Sequence, residues 1–72
     1  MHAMTEDPIY HIRLEGQLDP CWSQWLGGME IRSLDGGDTL LVGPIPDQSA
    51  LHGLLAKIRD MNLILLSVNI LR

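Results

Sequence analysis

Between Pro46 and Asn62, the apolar residues Leu51, Leu54, Leu55 and Ile58 fall at i, i+3, i+4 and i+7. That spacing puts them on one stripe of an α-helix. Asp47 supplies a capping side chain at its start, and Asn62 tolerates the left-handed turn that ends a helix. Pro44 and Pro46 just upstream belong to the end of a strand, because proline cannot donate to a central ladder. A helix with one apolar stripe must lie on something. The rest of the chain has to provide the surface it covers.

That surface reads as strands. Residues 9–15, IYHIRLE, alternate, with Tyr10, Ile12 and Leu14 opposite His11, Arg13 and Glu15. MEIRSLD, 29–35, alternates again. Asp35-Gly36-Gly37-Asp38 is a turn signature, and TLLVG, 39–43, is the returning strand of a hairpin. LILLSVNIL, 63–71, is the last strand. Between the first two strands, LDPCWSQWLGG predicts a helix of about two turns. Asp19 caps it, Pro20 opens it, and Trp22, Trp25 and Leu26 share a face until Gly27-Gly28 stops it. Two turns are not stable alone, so that helix must be held by packing, and its Trp pair is expected in the core.

The order β-α-β-β-α-β predicts a ferredoxin-like α+β fold, a four-stranded antiparallel sheet with two helices on one face. Residues 1–8 are expected to be a flexible N-terminal segment and 9–72 a single small domain. Should the first helix be only a turn, a three-stranded meander with one helix and one added strand results. The last strand is an edge in the expected topology. The open sheet face is predicted to show His11, Arg13, Glu15, Glu30, Arg32, Leu41, Leu65, Ser67 and Asn69.

Composition narrows the function classes. The chain has 72 residues, so its core is thin and its stability margin small. One cysteine forbids an internal disulfide, and His2, His11, Cys21 and His52 show no ligand spacing for a metal. No cofactor is implied. Self-association is the remaining supplement for so small a domain. A net charge of −4 disfavours nucleic acid and anionic membrane surfaces. No apolar run is long enough to span a bilayer, and MHAMTEDP lacks a signal-peptide layout. A cytoplasmic location is expected. Met4 is an alternative natural start, with Met1 to Ala3 left by cloning.

Gly53 is the anomaly. An interior helical glycine costs about 1 kcal/mol against alanine. Opposite the apolar stripe lie Ser49, Gly53, Ala56 and Asp60, mostly small where long helix formers are usual. The bland reading is a tolerated surface glycine. The functional reading is a docking strip for a partner or a second copy, formed by Ser49, Gly53 and Ala56. The apolar last strand, with Leu65 and Ser67, is the other interface candidate.

No catalytic constellation stands out. His11 and Glu15 lack a nucleophile or orienting partner, and the expectation is a non-enzymatic domain. His11 and Arg13 more simply make cross-strand contacts with Glu30 or Glu15. Cys21 sits in the first helical turn, where a dipole could lower its pKa, though a packed thiol is the commoner outcome. RNA-recognition domains share the element order but stack bases on strand aromatics that this chain lacks. ACT-type regulatory domains share it too, and bind small ligands at a dimer interface near the first strand–helix loop. GQLDPCW, 16–22, occupies that place, which makes Gly16, Asp19 and Trp22 the candidate ligand-binding residues. The likeness is topological, and fold does not imply function.

LDPCWSQWLGGMEI and GPIPDQSALHGLLAKIRDMNLILLSVN resemble a group of short, uncharacterised bacterial proteins. The shared pattern falls on Leu18, Asp19 and Trp22, then Gly43, Pro44, Asp47 and Gln48, then 50–55 and 58–60. The resemblance implies a stand-alone bacterial domain and carries no activity. The function expected from the residues is a self-associating protein-interaction domain, most simply a homodimer that also binds another protein. The alternative is an ACT-like ligand-binding regulatory domain with its site at the dimer interface.

Overall fold

In a computed structural model describing residues 7–71, four strands form one antiparallel sheet crossed by a single α-helix. The strands are β1 (Ile9–Glu15), β2 (Glu30–Ser33), β3 (Thr39–Pro44) and β4 (Ile64–Leu71), and the helix is α1 (Gln48–Asp60). Their order across the sheet is β2-β3-β1-β4, so β2 and β4 are the edges. Most of the flexible segment expected over 1–8, and the question of Met1 to Ala3, lie outside the described residues.

The two-helix ferredoxin-like expectation is corrected. Among the described residues only α1 is an α-helix, and the segment after β1 forms a single 3-10 turn, Pro20–Ser23. Asp19 does cap it, its carboxylate accepting the Cys21 N–H at 2.9 Å. Tight turns then follow to Gly27 and Gly28, both at positive φ. The physical reason is length: between Pro20 and this glycine pair there is no room to repay the cost of helix nucleation. The Trp pair is therefore not core. Trp22 and Trp25 are 44% and 49% exposed, while Leu18, Leu26 and Met29 of the same region are buried.

The alternation in β1 is realised as read, with Tyr10, Ile12 and Leu14 buried beneath α1. Leu51, Leu54 and Ile58 of the helix stripe meet them, and Leu18, Leu26, Met29, Leu41 and Ile45 belong to the same cluster. The Asp47 carboxylate accepts the Ala50 N–H at 2.8 Å, and Asn62 ends the helix at φ 60°. Lys57 and Arg59 in the last turn suit the negative end of its dipole.

Two residues change face relative to the sequence reading. Leu41 pairs with Ile12 and is fully buried, and Leu40 and Val42 occupy the open-face positions beside Arg13 and His11. Consecutive apolar residues in TLLVG leave the period-2 pattern without a face to choose. In β4 the register shifts between Arg13 and Leu14, so Ser67 pairs with Arg13 but Leu65 pairs with Leu14. Leu66 is the extra residue of this bulge. The shift moves Leu65 to the core-facing row and puts Ile64 opposite Glu15.

Thr39 is the one buried polar residue among those described, and its hydroxyl works in both directions. Its Oγ1 accepts the Leu18 N–H at 3.1 Å and donates to the Gly16 carbonyl at 2.6 Å, pinning the β1–turn connection onto β3. Thr39→Val keeps the shape and leaves both backbone groups without this partner. It should cost about 1–3 kcal/mol. Thr39→Ser, which keeps the hydrogen bonds, should cost less. Urea unfolding at one fixed protein concentration measures both.

Candidate functional site

Two surfaces stand apart from the ordinary exterior, one at the β4 edge and one beside α1.

The first is the β4 edge. A sheet edge exposes a row of unpaired backbone donors and acceptors, which proteins blunt with charge, short length or a covering segment. The β2 edge is blunted in this way. It is four residues long and carries the Arg32–Glu30 ion pair at 2.6 Å. Hydrogen bonding to Arg32 holds the Glu30 carboxyl below its usual range, although a pair this exposed adds little stability. β4 is interrupted only by the bulge at Leu66, and its eight residues contain no charged side chain. Ile64, Leu65, Leu66, Ile70 and Leu71 are each between 39% and 55% exposed. The helix packs Leu51, Leu54 and Ile58 on the core and leaves these β4 side chains partly in water.

The second surface is a cleft of about 320 Å³ between α1 and the loops on the β2 side of the sheet. Ala50, Gly53, Leu54 and Lys57 form its helix wall, another i, i+3, i+4, i+7 row. Leu26, Gly27 and Met29 close one side, and Pro44, Ile45 and Pro46 the other. Gly53 therefore opens into a cleft. A Cβ built there meets nothing within 4 Å. Lys57 ties the helix wall to the segment before Leu26. Its Nζ donates to the Trp25 carbonyl at 3.0 Å and lies 4.9 Å from the centre of the Trp25 ring.

The residues singled out in the sequence are dispersed. Ser49 is exposed and Ala56 half-buried on α1, and neither lines the cleft that Gly53 lines. Leu65 and Ser67 both lie on β4, and neither lines that cleft. Gly16, Asp19 and Trp22 are exposed, and none of them lines the cleft. Arg13 pairs with Asp38 of the β2–β3 connection at 3.0 Å, instead of with Glu30 or Glu15. Sequence reasoning missed Leu26, Met29, Ile45 and Lys57. Only the Lys57 position, one turn after Gly53, offered a signal. Among the described residues, no group of three or more His, Cys, Asp or Glu could hold a metal.

Cys21 is exposed, and its thiol is pushed up from its ordinary pKa. Loss of water around the sulfur is the leading cause, followed by the hydrogen bond and charge of Asp19, and the nearby backbone N–H opposes them only partly. This is the reverse of an activated thiol. The midpoint of its alkylation rate against pH should lie above that of an unstructured cysteine peptide. Asp19→Asn, which retains an acceptor for the capped N–H, should bring that midpoint down. Stopped-time iodoacetamide labelling followed by mass spectrometry reads both.

These features define a small one-helix α+β domain with one blunted edge, one bare apolar edge and a cleft behind its helix. The chain belongs to the family described as a domain of unknown function, DUF8691, whose model matches residues 9–69. No curated protein and no solved structure shows significant similarity to it. No helix among the described residues is long and apolar enough to cross a membrane.

Proposed function

We propose that this is a non-enzymatic, self-associating protein-interaction domain in which β4 of one copy pairs antiparallel with β4 of a second, joining two sheets into one. The observation that supports the reading is the bare β4 edge, long, uncharged and apolar beside a short charged opposite edge.

A second copy is the occupant this edge suits. Antiparallel pairing about a two-fold axis places the same strand on both sides, so an uncharged apolar strand is complementary to itself. Part of the negative charge of the domain lies away from this contact, although Glu15 stands opposite Ile64 of β4. Glu30, Asp35 and Asp38 belong to the far edge and its hairpin. Burying the exposed leucine and isoleucine side chains of two copies also gives a small domain the extra apolar burial it lacks alone. A cytoplasmic location belongs to the same reading and fits a lone exposed thiol.

Light scattering across a concentration series tests the proposal. A mass of twice the 8.0 kDa chain that dissociates on dilution is expected. One chain's mass at every concentration would reject it.

A further inference from the structure

The cleft beside α1 is built from three separate segments, and its chemistry is one-sided. Leu26, Met29, Ile45 and Leu54, nearly all of whose surface is buried in the core, form its aliphatic floor, and the exposed Pro44, Pro46 and Ala50 give it accessible apolar walls. No aromatic ring lines it, so nothing there stacks on a planar guest. No side-chain hydroxyl, amide or carboxylate lines it either. Its single charged liner is the Lys57 ammonium. Among the described residues Nζ makes one hydrogen bond, to the Trp25 carbonyl, which leaves two of its three donors for another acceptor. The volume is near the lower end of the roughly 300–1,000 Å³ typical of small-molecule sites.

From these features we infer that the cleft binds a small aliphatic monocarboxylate, its chain between Pro44, Pro46 and Ala50 over the floor of Ile45 and Leu54 and its carboxylate on Lys57. None of its lining residues lies on β4, so it does not depend on how two copies associate. Gly53 has a specific part in it. Its missing side chain is what keeps the helix wall open, which accounts for a residue that costs the helix about 1 kcal/mol. Charge and shape are read by different residues, so they are separable by experiment.

Isothermal titration calorimetry of the full chain with octanoate, below its micellar range, tests the inference, with octanol as the uncharged probe. Octanoate is expected to bind saturably, with one site per chain, and octanol at least tenfold more weakly. Lys57→Gln should weaken octanoate at least tenfold and leave octanol unchanged, whereas Lys57→Arg should retain octanoate. Gly53→Leu, which fills the cleft and favours the helix, should abolish both while circular dichroism stays unchanged. Trp25 fluorescence in a Trp22→Phe background should follow the octanoate titration, because Lys57 lies over the Trp25 ring. Absence of saturable octanoate binding would overturn the inference. So would equal binding of octanol, or octanoate binding that survives Lys57→Gln or Gly53→Leu.

Discussion

Leu66→Lys combined with Ile70→Lys should turn a dimer into a monomer at concentrations where the natural chain is paired. Both side chains are about two-fifths exposed or more in the single chain, so lysine can reach water there and the fold survives. In the paired state, the lysines of two copies would face each other across one strand junction. Like charges brought together at an interface cost several kcal/mol, which corresponds to at least a hundredfold rise in the dissociation constant. The matching Glu pair should have the same effect. Mixing the Lys and Glu variants should restore pairing, now between unlike chains, because opposite charges meet. Sedimentation velocity of each variant and of the mixture reads all three outcomes. A double-Lys variant that still dimerises would place the interface elsewhere.

The second large effect is in the core. Ile12 is fully buried at the middle of β1, in register with Leu41 on one side and Val68 on the other. Ile12→Ala removes side-chain atoms from a site that strands close on both flanks, so little collapse is possible. The cost should be about 2–5 kcal/mol. A domain of this length holds only roughly 0.05–0.15 kcal/mol per residue, so the substitution takes a large share of the total. The melting temperature should fall by at least about 10 °C. Trp22→Ala removes far more atoms but from an exposed ring, and should cost under about 1 kcal/mol. Scanning calorimetry of the three proteins at one concentration orders them, and the concentration must match because pairing adds stability. A larger loss from Trp22→Ala than from Ile12→Ala would contradict the core described.

The contrast between Ile12 and Trp22 shows what was legible in the chain. β1 alternates cleanly, and α1 carries an apolar stripe, an aspartate cap and a terminating asparagine. Each is local information, and each element formed where its residues said it would. The segment at Pro20 carries similar signals, but too few residues separate proline from the glycine pair for a helix to propagate. There the Trp spacing was a pattern without the length to act on it. Leu41 and Leu65 were misplaced for another reason. Runs such as Leu40-Leu41-Val42 and Ile64-Leu65-Leu66 have no polar partner to mark a face, and the bulge at Leu66 is decided by pairing with β1. The anomaly at Gly53 was visible, but the cleft was not. Its floor comes from Leu26, Met29 and Ile45, which only the tertiary fold brings to α1. The bare β4 edge was legible, because both its lack of charge and its place at the sheet margin follow from the sequence.

Pairing of β4 with β4 is tested most directly by isotope-filtered NMR on a half-labelled sample, where cross-peaks report contacts between chains. Cross-peaks linking residues 64–71 of one copy to residues 64–71 of the other, and centred on a two-fold register, are the predicted result. Contacts that instead join the helix residues Ser49, Gly53 and Ala56, or an absence of contacts between chains, would contradict it.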